Sequence, residues 1–491
     1  MTYTDWDMDS QGMRNIKNAL RRAGTLFGDR NAYEWKSGGS LVSVTFRRLR
    51  EDSEALGTAL AARDAFGARI AVCGGNSYEW ALAYITALGV GVAVPLSEGE
   101  TAAGLACVCQ KAEVTLAFAD EGKAADFPDG VEVFTLRAGL SALLDEGRAL
   151  IAAGDTRYTA AATDDAAVCE ILFNSPASAE RRGAMLSHKN IMSVVCSDFP
   201  FLMGLRSLCV LPFSLGFEAV CQLLSALMPG ATLCIASSPR RFAAELSEFE
   251  AASAYIVPLI AEELLGRLSP MLDLAKSLNT LVCGGAALPA GLEEAFEDRD
   301  IRLMNGYYLS ECSPLVSLNT NGAAGSVGQT PDYCVARVIY PDGDGDGELE
   351  IYGENVMQGY CNDPEGTRAA ITEDNWVRTG DMGRFDFAGN LYISGKQENL
   401  IRLPSGKRVM PEELEARVAQ YLPMGAQLRV FAERNRLTVE AYCAGRGDFA
   451  SALRTAVEKA NELLPRYKRI TDIKIVAQPF PKTALGEIIR R

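Results

Sequence analysis

The residues whose types and spacing most clearly suggest chemistry lie between positions 170 and 190. Two apolar runs within this segment, one near each end, predict two short strands. The loop between them is built from small polar residues, among them Ser175 and Ser178, and it ends in two cations, Arg181 and Arg182. Backbone N–H groups and positive side chains beyond a strand can surround an anion such as phosphate. Taken alone, the same spacing is also compatible with an ordinary strand–turn–strand.

With its flanks, this loop resembles the phosphate loop of the adenylate-forming superfamily, which includes acyl-CoA synthetases, luciferases and amino-acid adenylation domains. Residues 185–188 read Met-Leu-Ser-His, as that family does after its loop. Pro176 and Ala179 stand where the family has glycine, so Pro176 lacks a backbone donor and Ala179 resists a left-handed conformation. The resemblance implies three phosphate contacts, from Ser175, Ser178 and Arg182. Arg182 stands in the place of the family's loop lysine.

A second motif occurs at residues 305–311, which read Asn-Gly-Tyr-Tyr-Leu-Ser-Glu. It resembles the family's Gly-Tyr-Gly-x-Thr-Glu. The resemblance implies that Tyr307 stacks on adenine, that the Ser310 hydroxyl meets phosphate and that Glu311 holds Mg²⁺. Tyr308 replaces a family glycine, and we therefore expect a crowded site.

Three further matches concern the nucleoside. Gly285 and Ala286 lie in a Gly-Gly-Ala segment that resembles one wall of the family's adenine pocket. Residues 379–381 read Thr-Gly-Asp, and the resemblance implies that the two acceptor oxygens of Asp381 hold the ribose hydroxyls. Lys396 stands where the family has arginine, so it keeps the charge but loses the bidentate fork.

The last two motifs lie near the C-terminus. Residues 405–415 resemble the Gly-Lys-Asn-Val-x-Pro-Glu-Glu-Ile-Glu of long-chain acyl-CoA ligases, and residues 480–488 resemble the family's closing motif. Glu487 stands where that motif has its catalytic lysine. Lys482, five residues earlier, is the candidate replacement cation. The resemblance therefore implies a catalytic set of Ser310, Glu311, Lys482 and Glu487.

The elements that must position these residues alternate between strands and helices, which predicts an α/β fold. We expect a large domain, residues 1–395, of mostly parallel sheets covered by helices, with a small β-barrel-like part. A small mobile α+β domain, residues 396–491, should follow a hinge near Glu398. Among the individual elements, strands are predicted at 40–47 and 208–212, and an apolar helix at 217–227.

Composition narrows the class of protein. The 491 residues carry a net charge of −15, which argues against nucleic-acid binding and against an anionic membrane surface. Neither a signal peptide nor a membrane span is visible, since the longest uncharged apolar run, residues 81–96, is too short. Thirteen scattered cysteines indicate free thiols in a reducing compartment, hence a cytoplasmic protein. The single histidine, His188, disfavours a histidine-based zinc site or a Ser-His-Asp hydrolase.

Three functions remain open. The first is a long-chain fatty-acid–CoA ligase, weakened by its loop and by Glu487, using ATP (released as AMP), Mg²⁺ and coenzyme A. The second is a pseudoenzyme that binds a nucleotide or an acyl ligand without turnover. The third, less favoured, is amino-acid adenylation, because Phe217-Glu218 resembles the Phe-Asp with which such domains hold an amine. The expected partners are small molecules, and a homodimer is left open.

Overall fold

The computed structural model describes residues 14–174, 181–197, 206–267, 277–289, 291–343, 345–423, 425–434, 436–444, 448–482 and 488–490. Its strands, in chain order, are β1 Asn31–Ser37, β2 Ser40–Thr45, β3 Arg69–Gly74, β4 Val92–Ser97, β5 Leu116–Ala119, β6 Glu132–Thr135, β7 Val168–Phe173, β8 Gly183–Ser187, β9 Arg206–Cys209, β10 Thr232–Ile235, β11 Ser253–Ile256, β12 Thr280–Cys283, β13 Arg302–Tyr308, β14 Leu315–Leu318, β15 Cys334–Ile339, β16 Gly347–Gly353, β17 Val377–Phe385, β18 Leu391–Lys396, β19 Ile401–Arg402, β20 Arg408–Val409, β21 Gln427–Glu433, β22 Arg436–Tyr442 and β23 Ile470–Ile475. The α-helices are Ile16–Leu26, Phe46–Ala62, Tyr78–Val90, Ala102–Ala112, Ala138–Ala152, Arg157–Ala160, His188–Val195, Phe242–Glu248, Pro258–Arg267, Leu292–Glu297, Pro364–Ala370, Pro411–Ala419 and Phe449–Glu462.

Two large sheets form the first part of the chain. One has eight strands in the order β14-β13-β12-β11-β9-β10-β1-β2, and the other has six in the order β6-β5-β3-β4-β7-β8. All neighbours are parallel except β1/β2, β13/β14 and β7/β8. Strands such as β5 and β11 are buried along their whole length, as expected for parallel strands covered on both faces. The α/β prediction is confirmed.

A buried helix, Tyr78–Val90, lies in the layer between the two sheets. Ser77 caps it by accepting the Trp80 N–H. The Trp80 ring lies 5.2 Å from the Tyr84 ring and 5.6 Å from that of Phe213, which follows β9 of the other sheet. Aromatic packing through this one helix therefore joins both sheets into a common core.

A four-stranded antiparallel sheet follows, in the order β15-β16-β17-β18. Its buried residues form a small core of their own with neighbours from β13 and β14, including Val316, Leu349, Ile351 and Leu391. This sheet corresponds to the predicted small β part. It also carries Asp381 on β17 and Lys396 on β18, so it positions two of the predicted site residues.

The C-terminal part contains the hairpin β19/β20, the sheet β21-β22-β23 and the helices Pro411–Ala419 and Phe449–Glu462. These elements share a separate apolar core, which supports the predicted small domain. The boundary at residue 395 stays a prediction. At that point a Cβ on Gly395 would lie 2.5 Å from Glu412 Oε2, so the chain passes close to the following helix. Glu398, the predicted hinge residue, is exposed.

Three local predictions differ from the structure. Residues 217–227 form a π-helix, Phe217–Leu224, and a 3₁₀ turn, Ser225–Leu227, because apolar periodicity over so few residues does not distinguish helix types. The strand predicted at 40–47 ends at Thr45, which caps the next helix. The strand predicted at 208–212 spans Arg206–Cys209.

Several strands were not predicted, among them β1. Strand β1 reads Asn-Ala-Tyr-Glu-Trp-Lys-Ser, a polar composition that obscures its pairing with β2 and β10.

Among the described residues, no helix combines the length and the apolar character that crossing a bilayer requires.

Candidate active site

Asp381 is held in position by its own strand and by the residues just before it. Gly380 has φ +71°, in the left-handed region that favours glycine. The Asp381 N–H donates to the Thr379 hydroxyl at 3.0 Å. The register of β17 and β18 sets Asp381 opposite Lys396, whose Nζ lies 4.0 Å from Asp381 Oδ1. The antiparallel pairing thus brings together two residues that the resemblance assigns to ribose and phosphate.

Tyr307 contacts the same carboxylate from strand β13 of the eight-stranded sheet. Its hydroxyl donates to Asp381 Oδ2 at 2.5 Å, and the residue is only 8% exposed. Burial, followed by the Asp381 carboxylate, raises the pKa of Tyr307 well above its usual value, so the hydroxyl stays a donor. Burial also raises the pKa of Asp381, while Lys396 and the Tyr307 hydrogen bond act in the opposite direction. Little of the Tyr307 ring is open to a base. The adenine contact that the resemblance assigns to Tyr307 stays a prediction.

Ser310 and Glu311 follow β13 in a short 3₁₀ turn, Ser310–Cys312. The Met357 N–H donates to the Glu311 carbonyl at 2.9 Å, and the Tyr360 hydroxyl donates to Glu311 Oε1 at 2.8 Å. Both donors lie in the segment after β16. Glu311 is therefore oriented by a part of the chain that none of the predicted motifs includes.

The Glu311 carboxylate suits a magnesium ion that keeps water and phosphate ligands. Within the described residues, no three His, Cys, Asp or Glu side chains are grouped as a metal site. Mg²⁺ commonly takes one or two carboxylates and completes its octahedron with water and substrate phosphates. Tyr360 contacts Oε1 of this carboxylate, and the magnesium role of Glu311 stays a prediction.

Tyr360 also contacts the predicted loop cation. The guanidinium carbon of Arg182 lies 5.4 Å from the centre of the Tyr360 ring, in a cation–π arrangement. Nε of Arg182 lies 3.2 Å from Asp363 Oδ2. Burial and the Glu311 carboxylate raise the pKa of Tyr360. Tyr360 thus lies between the carboxylate assigned to metal and a cation whose charge is compensated by Asp363.

The other loop cation, Arg181, forms a bidentate pair with Glu100. Its two terminal nitrogens lie 2.9 and 2.8 Å from the two oxygens of Glu100. The side chains are 13% and 4% exposed, so this ion pair is largely buried. The sequence predicted that Arg181 adds positive charge to the loop, but in the structure its charge is matched by the Glu100 carboxylate.

The base of the phosphate loop is closed by reciprocal hydrogen bonds between β7 and β8. The Asn174 N–H donates to the Arg182 carbonyl at 3.1 Å, and the Arg182 N–H donates to Asn174 Oδ1 at 3.2 Å. The strand–loop–strand prediction is confirmed at these ends. The predicted phosphate contacts Ser175 and Ser178 lie outside the described residues.

Gly285 and Ala286 follow the carboxyl end of β12 and are half-buried. Gly285 has φ +86°, a backbone conformation that glycine adopts without strain. Directly before it, a Cβ on Gly284 would lie 2.2 Å from the Tyr308 ring. The crowding expected from Tyr308 is therefore present, and it concerns the strand end that leads into the predicted adenine wall.

The two C-terminal candidates have different outcomes. Lys482 is exposed and pairs with Ile488 in an antiparallel bridge. Burial raises the pKa of Glu262, and the ammonium group of Lys482 acts in the opposite direction. Lys482 therefore lies near the helix Pro258–Arg267, which contains Glu262. Its role as a replacement cation stays a prediction. Glu487 lies outside the described residues.

Comparison with known proteins identifies the family. Residues 20–361 match the family of AMP-binding enzymes. A 3-[(3aS,4S,7aS)-7a-methyl-1,5-dioxo-octahydro-1H-inden-4-yl]propanoyl:CoA ligase of Rhodococcus jostii (strain RHA1) is 25% identical, over 96% of this chain and 97% of that protein. A long-chain-fatty-acid–CoA ligase of Rattus norvegicus is 32% identical, but over only 35% of this chain and 24% of that protein.

The solved structures agree on the fold. ATP-bound MatB from Rhodopseudomonas palustris superposes with a TM-score of 0.82 at 22% identity, covering 96% of this chain and 97% of that one. The chain therefore belongs to the AMP-binding enzymes of the adenylate-forming superfamily, and its similarity is to AMP-forming acid–CoA ligases.

Three residues that contact the site were missed by sequence reasoning, namely Glu100, Tyr360 and Asp363. Each contacts its partner across a long stretch of chain: Arg181 and Glu100, for example, are 81 residues apart. No local spacing marks such a pair. Tyr360 lies inside the matched family region but outside every motif recognised in the sequence.

Proposed function

We propose that the chain is an AMP-forming acid–CoA ligase that works at a reduced rate. The carboxylate oxygen of the acid would attack the α-phosphorus of ATP, and pyrophosphate would leave. The thiol of coenzyme A would then attack the acyl carbon of the adenylate and release AMP. The observation that carries this proposal is the grouping of Asp381 and Lys396 on paired strands with Tyr307 from the neighbouring sheet.

Each of these residues has a definite task in that reaction. Asp381 would accept hydrogen bonds from the ribose hydroxyls, with Tyr307 orienting the carboxylate. Lys396 would face phosphate oxygens from the opposite strand. Ser310 would donate to phosphate, and Glu311 would hold Mg²⁺, which when bound offsets part of the phosphate charge.

The reduced rate follows from the loop. Negative charge accumulates on phosphate oxygens in the transition state, and cations or N–H donors facing it lower the barrier. Arg181 and Arg182 are ion-paired with Glu100 and Asp363, so their positive charge is partly neutralised before a nucleotide binds. Removing one well-placed donor typically lowers the rate by about a hundred- to a thousandfold.

The long-chain fatty acid expected from the sequence is supported by similarity alone. The matching motif at residues 405–415 and the partial match to the rat long-chain-fatty-acid–CoA ligase favour it. Tyr308 opposes it, since its ring lies against Phe217 at the carboxyl ends of the strands. The proposed substrate is therefore a carboxylic acid, and not specifically a long-chain one.

A second candidate function is nucleotide binding without turnover. Two observations favour it: the buried Arg181–Glu100 pair and the Arg182–Asp363 pair leave the loop with little net positive charge. Asp381 and Glu311 would still bind the nucleotide. This candidate differs from the first only in the chemical step.

Amino-acid adenylation is less favoured by the geometry. Glu218 is 0% exposed, and burial raises its pKa well above the usual value for a carboxyl. A carboxyl that is neutral cannot form an ion pair with the ammonium group of an amino acid. Burial thus disfavours the charged form of Glu218 that the resemblance of Phe217-Glu218 requires.

Cellular location and assembly remain predictions. All thirteen cysteines are free thiols, which supports the expected reducing, cytoplasmic compartment. The homodimer left open by the sequence has no further support.

The test is carboxylate-dependent release of pyrophosphate from MgATP, run over acids from acetate to palmitate, with coenzyme A added in parallel and the thioester detected by mass. Calorimetry with MgATP is run on the same protein. Acid-dependent pyrophosphate release with formation of an acyl-CoA supports the ligase. Binding of ATP with no release for any acid supports the second candidate, and absence of ATP binding in folded protein contradicts both.

A further inference from the structure

The side chain of Tyr308 lies at the carboxyl ends of two neighbouring parallel strands. Strand β13 ends at Tyr308 itself, and β12 ends one residue before Gly284. A Cβ on Gly284 would lie 2.2 Å from Cε2 of Tyr308, and a Cβ on Gly306 would lie 2.4 Å from its hydroxyl oxygen. The ring therefore covers both strand ends, in a space that only glycine neighbours leave open.

Aromatic contacts hold this ring from the opposite side. The Phe217 ring centre lies 4.1 Å from that of Tyr308, at an interplanar angle of 47°. Phe217 in turn lies 5.1 Å from the ring of Tyr255, on strand β11. Close aromatic pairs of this kind favour one ring position over free rotation.

The backbone beneath Phe217 is unusual. Phe217 begins the π-helix Phe217–Leu224, a helix type that is rare and often found at functional sites. Gln222 of that helix donates to the Ser207 hydroxyl at 2.7 Å and to the Leu208 carbonyl at 3.2 Å, and both partners are on β9. The helix is thereby fixed to the sheet, and Phe217 cannot easily withdraw from Tyr308.

Position relative to the nucleotide residues gives this aromatic contact a functional meaning. In open α/β sheets, ligands bind at the carboxyl ends of the strands. Along the chain, Tyr308 follows Tyr307, which contacts Asp381, and precedes the Ser310–Glu311 turn, while its ring packs in a different core cluster from that of Tyr307. An acid whose carboxylate reacts beside Glu311 must direct its remaining atoms into the space next to these strand ends.

We propose that Tyr308, held by Phe217, restricts the substrate to a short carboxylic acid such as acetate or propionate. This inference rests on the proposed function, because it describes the acid site of the same reaction. A long alkyl chain would have to displace the Tyr308 ring from Gly284, Gly306 and Phe217. A short acid leaves those contacts intact.

The test uses two non-hydrolysable analogues of the acyl-adenylate, the N-propanoyl and N-dodecanoyl sulfamates of adenosine, and measures their dissociation constants by calorimetry. AMP serves as the reference ligand, so binding is measured whether or not the protein turns over. We expect the wild-type protein to bind the propanoyl analogue at least about tenfold more tightly than the dodecanoyl analogue, since the longer chain finds no apolar space to enter.

Two variants locate the effect. Tyr308→Gly should improve dodecanoyl binding by at least about tenfold, because each newly buried methylene adds to affinity. Tyr308→Phe keeps the ring without its hydroxyl and should keep the preference for the short analogue. AMP binding by each variant checks that it is folded.

The outcomes separate the two proposals. Failure of AMP and of both analogues to bind contradicts the proposed function. Binding of AMP together with equal wild-type affinity for the two analogues overturns the short-acid inference and leaves the ligase standing. The same holds if Tyr308→Gly binds AMP normally but gains no affinity for the dodecanoyl analogue.

Discussion

Two parts of the candidate site have kept different amounts of the family's chemistry. On the predicted nucleotide side (Asp381, Lys396 and Glu311), Asp381 and Lys396 face each other on paired strands and Glu311 is oriented by Tyr360. On the loop side (Arg181 and Arg182), each cation already has a carboxylate partner. The contrast indicates that binding of a nucleotide and acceleration of its reaction can be lost separately, because they depend on different residues.

The largest expected effect concerns the loop side. Glu100→Gln removes the charge that compensates Arg181 in a largely buried pair, and should lower the free energy of unfolding by about 3 kcal/mol. Urea denaturation measures it. The matched control is Asp29→Asn, which breaks the exposed pair with Arg47 and should barely move the midpoint. Equal, small changes in both variants would show that Arg181 is not committed to a structural role.

The strand that leads into the loop supplies a pH test. Glu170 on β7 is fully buried, and burial raises its pKa to about 7 from a usual 4.5, while the Tyr84 hydroxyl bond acts to lower it. The folded protein therefore holds this proton more tightly than the unfolded chain, so the free energy of unfolding falls as pH rises from about 4.5 to 7. The loss should amount to about 3 kcal/mol.

Glu170→Gln isolates that contribution, because glutamine does not titrate. Urea unfolding at pH 5 and pH 8 should show the wild type losing stability relative to the variant between the two values. Parallel curves for both proteins would mean that Glu170 has an ordinary pKa.

The nucleotide side is tested by Asp381→Ala, which removes the acceptor assigned to ribose. We expect MgATP binding to weaken by about 1–3 kcal/mol, measured by calorimetry. The matched loop-side variant is Asp363→Asn, which frees Arg182 of its carboxylate but keeps a side-chain oxygen to cap the helix Pro364–Ala370. That variant should bind MgATP no less tightly than the wild type. An equal loss in both would remove the distinction between the two sides.

The smallest effect is expected for Tyr360, which contacts Glu311 on the nucleotide side and Arg182 on the loop side. Tyr360→Phe keeps the ring beside Arg182 and removes the hydrogen bond to Glu311, so the apparent affinity for Mg²⁺ in the presence of ATP should fall by about 1 kcal/mol. Titration of ATP binding against Mg²⁺ concentration measures it. Tyr392→Phe, which removes a weaker bond to Asp386 at 3.3 Å, should leave that titration unchanged. A similar shift in both variants would deny Tyr360 a positioning role.

Much of the nucleotide side could be predicted from the sequence, and the reason is physical. Thr-Gly-Asp includes a glycine in a left-handed conformation and a strand residue whose partner is set by register, so local sequence determines the geometry. Several strands of the parallel sheets were predictable for the same reason. Spacing and propensity act over a few residues.

The loop side could not be predicted in this way. Whether Arg181 faces a phosphate or a carboxylate depends on Glu100, which the fold brings from another strand end. The same applies to Tyr307 and Asp381, which are 74 residues apart and become partners only when two sheets meet. The π-helix at Phe217 depends on its contacts with β9, and its apolar pattern alone does not reveal it.

The central claim is that this chain binds the nucleotide well and is slow because cationic groups are missing or compensated. It is tested most directly at Glu487, by measuring MgATP affinity and acid-dependent pyrophosphate release for the wild type and for Glu487→Lys. We expect at least a tenfold faster release in the variant, about 1.4 kcal/mol of barrier, with nearly unchanged affinity, because the restored cation acts where charge develops. Fast release by the wild type, with no gain in the variant, would contradict the claim.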